Sequence, residues 1–535
     1  FCNRNGGLHG HYIYCRIEAR ASGLAGIYRK IAKVLMDIFS NLALGFSTAV
    51  SPVNLLYCFI GVLAGTLVGV LPGISPVNTV AMLLPFTFGM NPTSALIMLA
   101  GIFYGAQYGG STSAILINVP GETSAVVACL DGHQMAQQGK AGKALGIAAI
   151  GSFFAGCVAT IVIALISTPL AQIAMKFNSP EYFSLMVLGL IAAVVLGSGS
   201  PMKSFIMVVL GVLTGLVGID VSSGSSRLTF GRMELADGMD FVPLVVGLFG
   251  IGEVVANLEV ITDRNILKEK IKDLLPSWQE VKECFPAILR GTAIGTMLGI
   301  LPGGGAALPP FAAYAIEKKI SKHPERFGTG EIRGIASPES ANNAGAQTSF
   351  IPLLTMGIPT NALMALMIGA MMIHGIQPGP MVIQKQPELF WGIVVSMWIG
   401  NLMLVIINLP LIQFWVALLR TPYRLLFPAI IMFCCVGSYA SINSVFSVWL
   451  MLGWGLAGYF FKKIKAQPAP MILGFVLGPM LEENFRRSMQ ISNGDPFVFI
   501  ERPISAGFLA AALFFIIVLI LPSIRGKRDL LKEEN

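Results

Sequence analysis

From Met36 onward the chain is a succession of long apolar runs, interrupted by glycine and proline more often than by charge. The clearest runs cover residues 144–168, 184–219, 241–256, 390–418, 443–461 and 504–522. About 20 consecutive apolar residues suffice to cross a bilayer as a helix, and about twelve such runs can be followed along the chain. The short period-two alternation that an outer-membrane barrel requires is absent. The pattern predicts an all-α polytopic membrane protein of about 12 transmembrane helices. Residues 1–35 lack a long apolar core and a signal cleavage site, although Ile27–Lys33 is basic and weakly amphipathic. They are expected to be an extension of little functional weight, with Met36 opening the functional chain.

The interruptions repeat. Residues 65–73 read GTLVGVLPG and residues 295–303 read GTMLGILPG, differing only by exchanges among aliphatic residues. Glycines at 61, 65, 69 and 73 match glycines at 291, 295, 299 and 303, a spacing of four that lines one helix face with small residues. Pro72 and Pro302 each remove a backbone donor and clash with the preceding turn. Each helix is therefore expected to end or unwind in mid-membrane. A second likeness follows each break: YGAQYGGSTS at 104–113 aligns with SANNAGAQTS at 340–349, and the proline turn INVPGETSA (117–125) has a looser counterpart in TMGIPTNA (355–362).

Loop charge sets the direction of the two halves. Residues 76–93 contain no Lys or Arg, whereas 315–334 contain Lys318, Lys319, Lys322, Arg326 and Arg333. Further on the order reverses, with Lys140 and Lys143 in 131–143 but only Lys385 in 374–391. Basic loops face the cytoplasm, so corresponding loops are expected on opposite sides. That is an inverted-topology repeat, each half carrying broken or re-entrant helices. The expected organisation is an extension over 1–35, a first repeat half over 36–256 and an amphipathic charged linker over 257–284. A second half follows over 285–480, then a C-terminal loop, last transmembrane helix and cytoplasmic tail over 481–535.

Composition adds exclusions. Charged residues make up 12% of the chain and the net charge is +8, a surplus that cytoplasmic loops account for. No basic stripe interleaved with aromatic residues suggests nucleic acid. The eight cysteines form no C-x-x-C pair and read as small buried hydrophobes. The five histidines (9, 11, 133, 323 and 374) lack zinc spacing, and QQGKAGKA lacks the upstream glycine and the following Ser or Thr of a phosphate loop. No cofactor, metal site or ATPase is indicated. A channel would suit glycine-rich re-entrant loops and stays as a rival reading, although it should show rings of charge or carbonyls along an open path; a membrane enzyme would need a catalytic constellation, which is not found.

What remains is transport. Broken helices expose backbone groups to a cavity, where half-helix N-termini suit anions and unwound carbonyls suit cations. The candidate substrate contacts are Gly73, Ser75, Asn78, Gly109, Thr112, Ser113 and Asn118 in the first half. In the second they are Gly303, Gly304, Asn342, Asn343, Thr348, Ser349, Thr360 and Asn361, with Pro72, Pro120, Pro302 and Pro359 as the helix breaks. Any one of these polar side chains is explained as well by an interhelical hydrogen bond; the pairing of the clusters is what favours a site. Glu122 and Glu339 are the candidate ion-coupling carboxylates, although helix-end capping explains them equally well. No buried carboxylate pair is evident in the sequence, which favours Na⁺ over H⁺ as the co-transported ion.

The blocks GVLPGISPVNTVAMLLPFTFGM, FYGAQYGGSTSAILINVPGE, LPGGGAALPPFAAYAIEKK, GIASPESANNAGAQTSFIPLL and APMILGFVLGPMLEENFRRS resemble the large membrane subunit of the tripartite tricarboxylate transporters, the TctA family. The resemblance runs from about Met36 to Arg525 and places the family motifs at Leu71-Pro72-Gly73, Leu301-Pro302-Gly303, Gly109–Asn118 and Ser337–Ser349. It implies a multi-pass secondary transporter of the bacterial inner membrane, importing citrate or other di- and tricarboxylates with Na⁺ or H⁺ by an elevator-like motion. It also implies two protein partners besides the lipid bilayer: a small four-helix membrane subunit and a periplasmic solute-binding protein.

Overall fold

The computed structural model describes residues 36–71, 75–196, 200–220, 223–259, 275–301, 308–419 and 423–533. The expected extension over 1–35, Pro72, Gly73, Pro302, Gly303, Gly304 and most of the linker lie outside the described residues. The described residues are helical nearly throughout, with one short hairpin among them pairing Gly218–Ile219 with Ser226–Arg227. Five described helices are both long and apolar enough to cross a bilayer, and several shorter apolar helices accompany them. The apolar run 184–219 divides into Ser179–Leu196 and Pro201–Gly215, and helix Ala469–Ile491 passes through the boundary expected at 480.

The first half opens with α1 (Pro52–Val70), α2 (Pro76–Leu83) and α3 (Pro92–Ile117), followed by α4 (Val126–Gln137) and α5 (Ala141–Ala174). The second half uses α6 (Trp278–Gly299), α7 (Leu308–Ile320), α8 (Arg333–Thr348), α9 (Ala362–Ile373) and α10 (Pro387–Asn408). Start signals are local. Ser51 and Asn91 cap α1 and α3 with Pro at the first helical position, and Ser277 with Glu280 forms a capping box at the start of α6.

Glycine decides how these helices pack. In rising order Gly61, Gly65 and Gly69 of α1 lie against the backbones of Met98, Ile102 and Ala106 of α3. A β-carbon at any of the three would run into a carbonyl oxygen of α3. The two helices are therefore parallel, and α2 with the turn Leu84–Thr87 carries the chain back between them. The second half repeats the device: Gly291, Gly295 and Gly299 of α6 lie against Ser337, Ala341 and Gly345 of α8, and α7 is the return. The register differs by about one turn. The sequence match pairs Gly109 with Gly345, but Ala106 is the residue that faces Gly69 as Gly345 faces Gly299.

Contacts along α5 fix the two ends of the bundle. This helix of 34 residues is about 51 Å long. Near its start Lys143 pairs with Glu280 at 2.7 Å, a bond that with those from Ser277 holds the Glu280 carboxyl down to about 2. There too Asp131 of α4 accepts the N–H groups of Gly328, Gly330 and Glu331 at 2.8–2.9 Å and the Tyr314 hydroxyl at 2.9 Å. The segments 131–143 and 315–334 thus meet at one end, the basic end. Past the last turn of α5, the Met175 sulfur accepts from Gln384 at 3.0 Å, so 374–391 lies at the far end. Thr93 borders Gly392 there, which places the close of 76–93 at the far end too.

Around this centre further helices pair in parallel. Ser179–Leu196 lies along Pro503–Glu533 through Ser184–Ser505 and Glu181–Arg502, and Pro201–Gly215 lies along Ala469–Ile491 through Gly211 and Met471. The glycine contacts predict a sharp contrast. Gly65→Ala and Gly295→Ala should each lower stability by about 1–3 kcal/mol, because backbone cannot yield to the added methyl. Gly453→Ala, which has open space, should gain up to about 1 kcal/mol from helix propensity. Thermal unfolding of the detergent-solubilised variants checks this; equal midpoints for all three would contradict the close approach.

Candidate functional site

Four short helices begin inside the bundle and run outward. α2 starts directly after the break that follows Val70, at the depth where Gly69 meets Ala106 and Gly110, and leads to the far end. α7 starts where Pro309 borders Gly345, and reaches the basic end where Glu317 pairs with Arg290 at 2.7 Å. α4 follows a turn in which Gly121 lies against Gly69 and Gly110, and leads to Asp131 at the basic end. α9 opens at Asn361 and runs into 374–391 at the far end. α2 packs on α9, and α4 on α7. With 8 to 13 residues each, they span about 12–20 Å, well short of the roughly 30 Å hydrocarbon core.

Each start carries N–H groups with no partner inside its own helix, and the positive end of that helix's dipole. Some are capped locally. Ser75 Oγ accepts from the Asn78 N–H at 3.2 Å and donates to Asn78 Oδ1 at 2.8 Å, and Asn361 Oδ1 accepts from Met364 N–H at 2.9 Å. No side chain caps α4. The arrangement presents positive helix ends from both directions to one central region, as an anion requires.

The polar stretches that follow the breaks are helix here, buried on nearly every face. α3 and α8 cross the centre side by side, and Ser111 donates to Glu339 Oε2 at 2.5 Å. Asn343 donates to Ser152 of α5 at 2.7 Å, and Thr160 of α5 donates to Gln347 at 2.7 Å. Ser124 donates to Gln107 Oε1 at 3.0 Å and is also bonded to Glu122. Asn342 on α8 and Asn401 on α10 are wholly buried with both amide atoms unpartnered. Such groups are rare in folded proteins and mark places where a ligand or water completes the bonding. A small cleft of about 20 Å³ lies between α5 and this centre, lined on its polar side by Tyr108, Ser111, Thr112, Ser152, Glu339 and Asn408.

The structure separates the sequence candidates into groups. Thr112, Thr348 and Ser349 return their hydroxyl hydrogens to carbonyls of their own helices, and Ser113 does so while also reaching Gly69 O at 3.3 Å. Gly109 packs on Thr66 and Val70 of α1. Ser75, Asn78 and Asn361 serve as caps and Thr360 is buried beside Asn361. Asn118 takes the left-handed conformation that ends α3, and Pro120 and Pro359 stand in the connections to α4 and α9. Glu339 is not at a helix end: it sits within α8, 2% exposed. Glu122, at the turn before α4, belongs to the same polar cluster.

Sequence reasoning passed over Gln107, Ser111, Ser152, Asn401 and Asn408. Gln107 and Ser111 lie one turn apart inside a block already singled out. Asn401 and Asn408, two turns apart in an apolar helix, carried the ordinary signal of intramembrane amides.

Comparison with known proteins agrees with this architecture. The model of the tripartite tricarboxylate transporter TctA family matches residues 55–473. An uncharacterized 52.8 kDa protein in the TAR-I ttuC' 3' region of Agrobacterium vitis is 55% identical over 92% of this chain and 99% of its own length. An uncharacterized protein in the TAR-II ttuC' 3' region of the same organism is 57% identical over 44% of this chain and 97% of its own. An uncharacterized protein of Methanocaldococcus jannaschii is 28% identical over 36% of this chain and 48% of its own. No solved structure matches. With the family match spanning both hairpins and the polar centre, the chain belongs to the TctA family of tripartite tricarboxylate transporters.

Proposed function

We propose that the chain is the substrate-carrying subunit of a binding-protein-dependent secondary transporter in the bacterial inner membrane. It imports tricarboxylates of the citrate kind or related carboxylates, driven by a cation gradient through elevator-type alternating access. The observation that carries this reading is the meeting of four half-helix N-termini in mid-bundle. At roughly half an elementary charge each they amount to about +2, a match for a di- or tricarboxylate in a region with few buried cations. Two partners complete the system, a small four-helix membrane subunit and a periplasmic protein that delivers the carboxylate. Sodium suits a site of carbonyls and hydroxyls; a proton-coupled dicarboxylate carrier of the same family is the second reading, favoured by the buried cluster around Glu122 and Glu339.

The end-to-end placement also supports an inverted repeat, with α1 and α3 starting from the far end and α6 and α8 from the basic end. In a background without native cysteines, a cysteine at exposed Gly89 should label from the periplasmic side and one at Lys322 from the cytoplasmic side. Labelling of both from one side would reject the inversion.

Asn342 and Asn343 divide the roles of the central amides. Asn342→Ala removes a side chain with no protein partner, so it should cut citrate uptake by about tenfold or more while leaving thermal stability within about 0.5 kcal/mol. Asn343→Ala breaks the bond to Ser152 and should cost about 1–3 kcal/mol of stability. The double variant should abolish uptake without reducing membrane insertion. Unchanged uptake in Asn342→Ala would take α8 out of the site.

A further inference from the structure

We propose that Glu339, bonded to Ser111 across the junction of the two halves and flanked by Glu122, is a proton-binding site that couples carboxylate movement to a proton gradient. This rests on the carrier reading above and names its coupling ion. Glu339 stands on α8 and accepts a hydrogen bond from the Ser111 hydroxyl of α3. Glu122 joins the same cluster through Ser124 and Gln107. The sequence favoured Na⁺ because no buried carboxylate pair was evident; folding brings two carboxyl groups from opposite halves into one polar interior.

The ionisable groups on the elements packed around Glu339 supply no counter-ion. On α3 the neighbour is Tyr108, which lines the same cleft. α4 carries Cys129, Asp131, which is held by the backbone of 328–331, and His133, bonded to Ile115 O and Gln137. α5 carries Lys143, paired with Glu280, and Cys157. On α6 are Glu280, Lys282, Glu283, Cys284 and Arg290, and on α7 Tyr314, Glu317 and, in the last turn, Lys318 and Lys319; Arg290 pairs with Glu317 and Tyr314 with Asp131. Among the described residues no lysine, arginine or histidine forms an ion pair with Glu339 or Glu122.

Burying an ionised carboxylate without a partner is costly. Two of them in one interior, with an anionic substrate beside them, need added positive charge before the site can cross the bilayer. A proton supplies it without new ligands. Ser111 Oγ and Glu339 Oε2 are 2.5 Å apart, the spacing of a hydroxyl–carboxyl hydrogen bond.

The step balances simply. At the loading side the Glu339 carboxylate takes one proton on the oxygen that Ser111 does not engage, forming a carboxylic acid whose O–H points to the incoming carboxylate. At the releasing side the substrate leaves, the same O–H dissociates to water, and the carboxylate re-forms. The small cleft beside Glu339 has room for a water molecule.

Two measurements on the complex of this chain with its two partners test the proposal. Infrared difference spectra between acid and alkaline buffer should show a protonated-carboxyl band in the unaltered protein that Glu339→Gln removes. In vesicles, accumulation of labelled citrate under an inward proton gradient should fall about tenfold or more in Glu339→Gln. Any citrate movement that remains in Glu339→Gln should no longer respond to the proton gradient, since the group that takes up the proton is gone. The band present, lost in Glu339→Gln, but with no citrate movement under any gradient would support the proton site and reject citrate. A spectrum that Glu339→Gln leaves unchanged, or accumulation that follows Na⁺ alone, would overturn the proposal whatever the substrate.

Discussion

A bilayer offers no water to a helix that stops halfway, so every peptide group at a break needs a partner inside the protein. The rest of this structure depends on that constraint. Four short helices begin in mid-bundle, and they do so beside helix pairs packed so closely that only glycine fits at the contact. The α1–α3 and α6–α8 approaches place bare backbone against bare backbone and leave no lipid at the depth of the breaks. Parallel packing has a further consequence: the chain must turn back between the two members of each pair, and the returning segment is the half-helix whose N-terminus the site uses.

Polar bonds then join the two hairpins into one centre. Ser111–Glu339 and Asn343–Ser152 link the halves at mid-depth, and Asp131 fastens the loop 328–331 of the second half to α4 of the first at the basic end. With three backbone donors on one carboxylate oxygen, the Asp131 contact holds its charge in place with strong, charge-assisted bonds. The parallel pair Phe241–Leu258 and Val445–Lys463 outside this centre combines glycine and aliphatic contacts with the ion pair of Lys462 and Glu253.

Much of this was legible in the sequence because its causes are local. Pro72 and Pro302 announce breaks, glycines every fourth residue announce close helix contact, and lysine counts announce sidedness. The return helices were harder to see: α2 and α7 have 8 and 13 residues and leave no long apolar run. The stretches 104–113 and 340–349 are rich in Gly, Ser, Thr and Asn, which are weak helix formers. In an interior without water the backbone bonds to itself regardless, and both stretches are helix. The bond from Ser111 to Glu339 spans 228 positions, and no local pattern encodes it. Ser152 was hidden for a related reason, being one small hydroxyl in a run otherwise apolar.

The central claim is that the four inward helix ends carry a carboxylate against its gradient. The most direct test is uptake of labelled citrate, isocitrate, malate and succinate into vesicles that hold this chain and its small membrane partner, with the periplasmic binding protein supplied outside. The account predicts that at least one is concentrated inside when a cation gradient is imposed, and that omitting the binding protein abolishes the accumulation. Flux that merely equilibrates at channel-like rates, or accumulation that needs no binding protein, would contradict it.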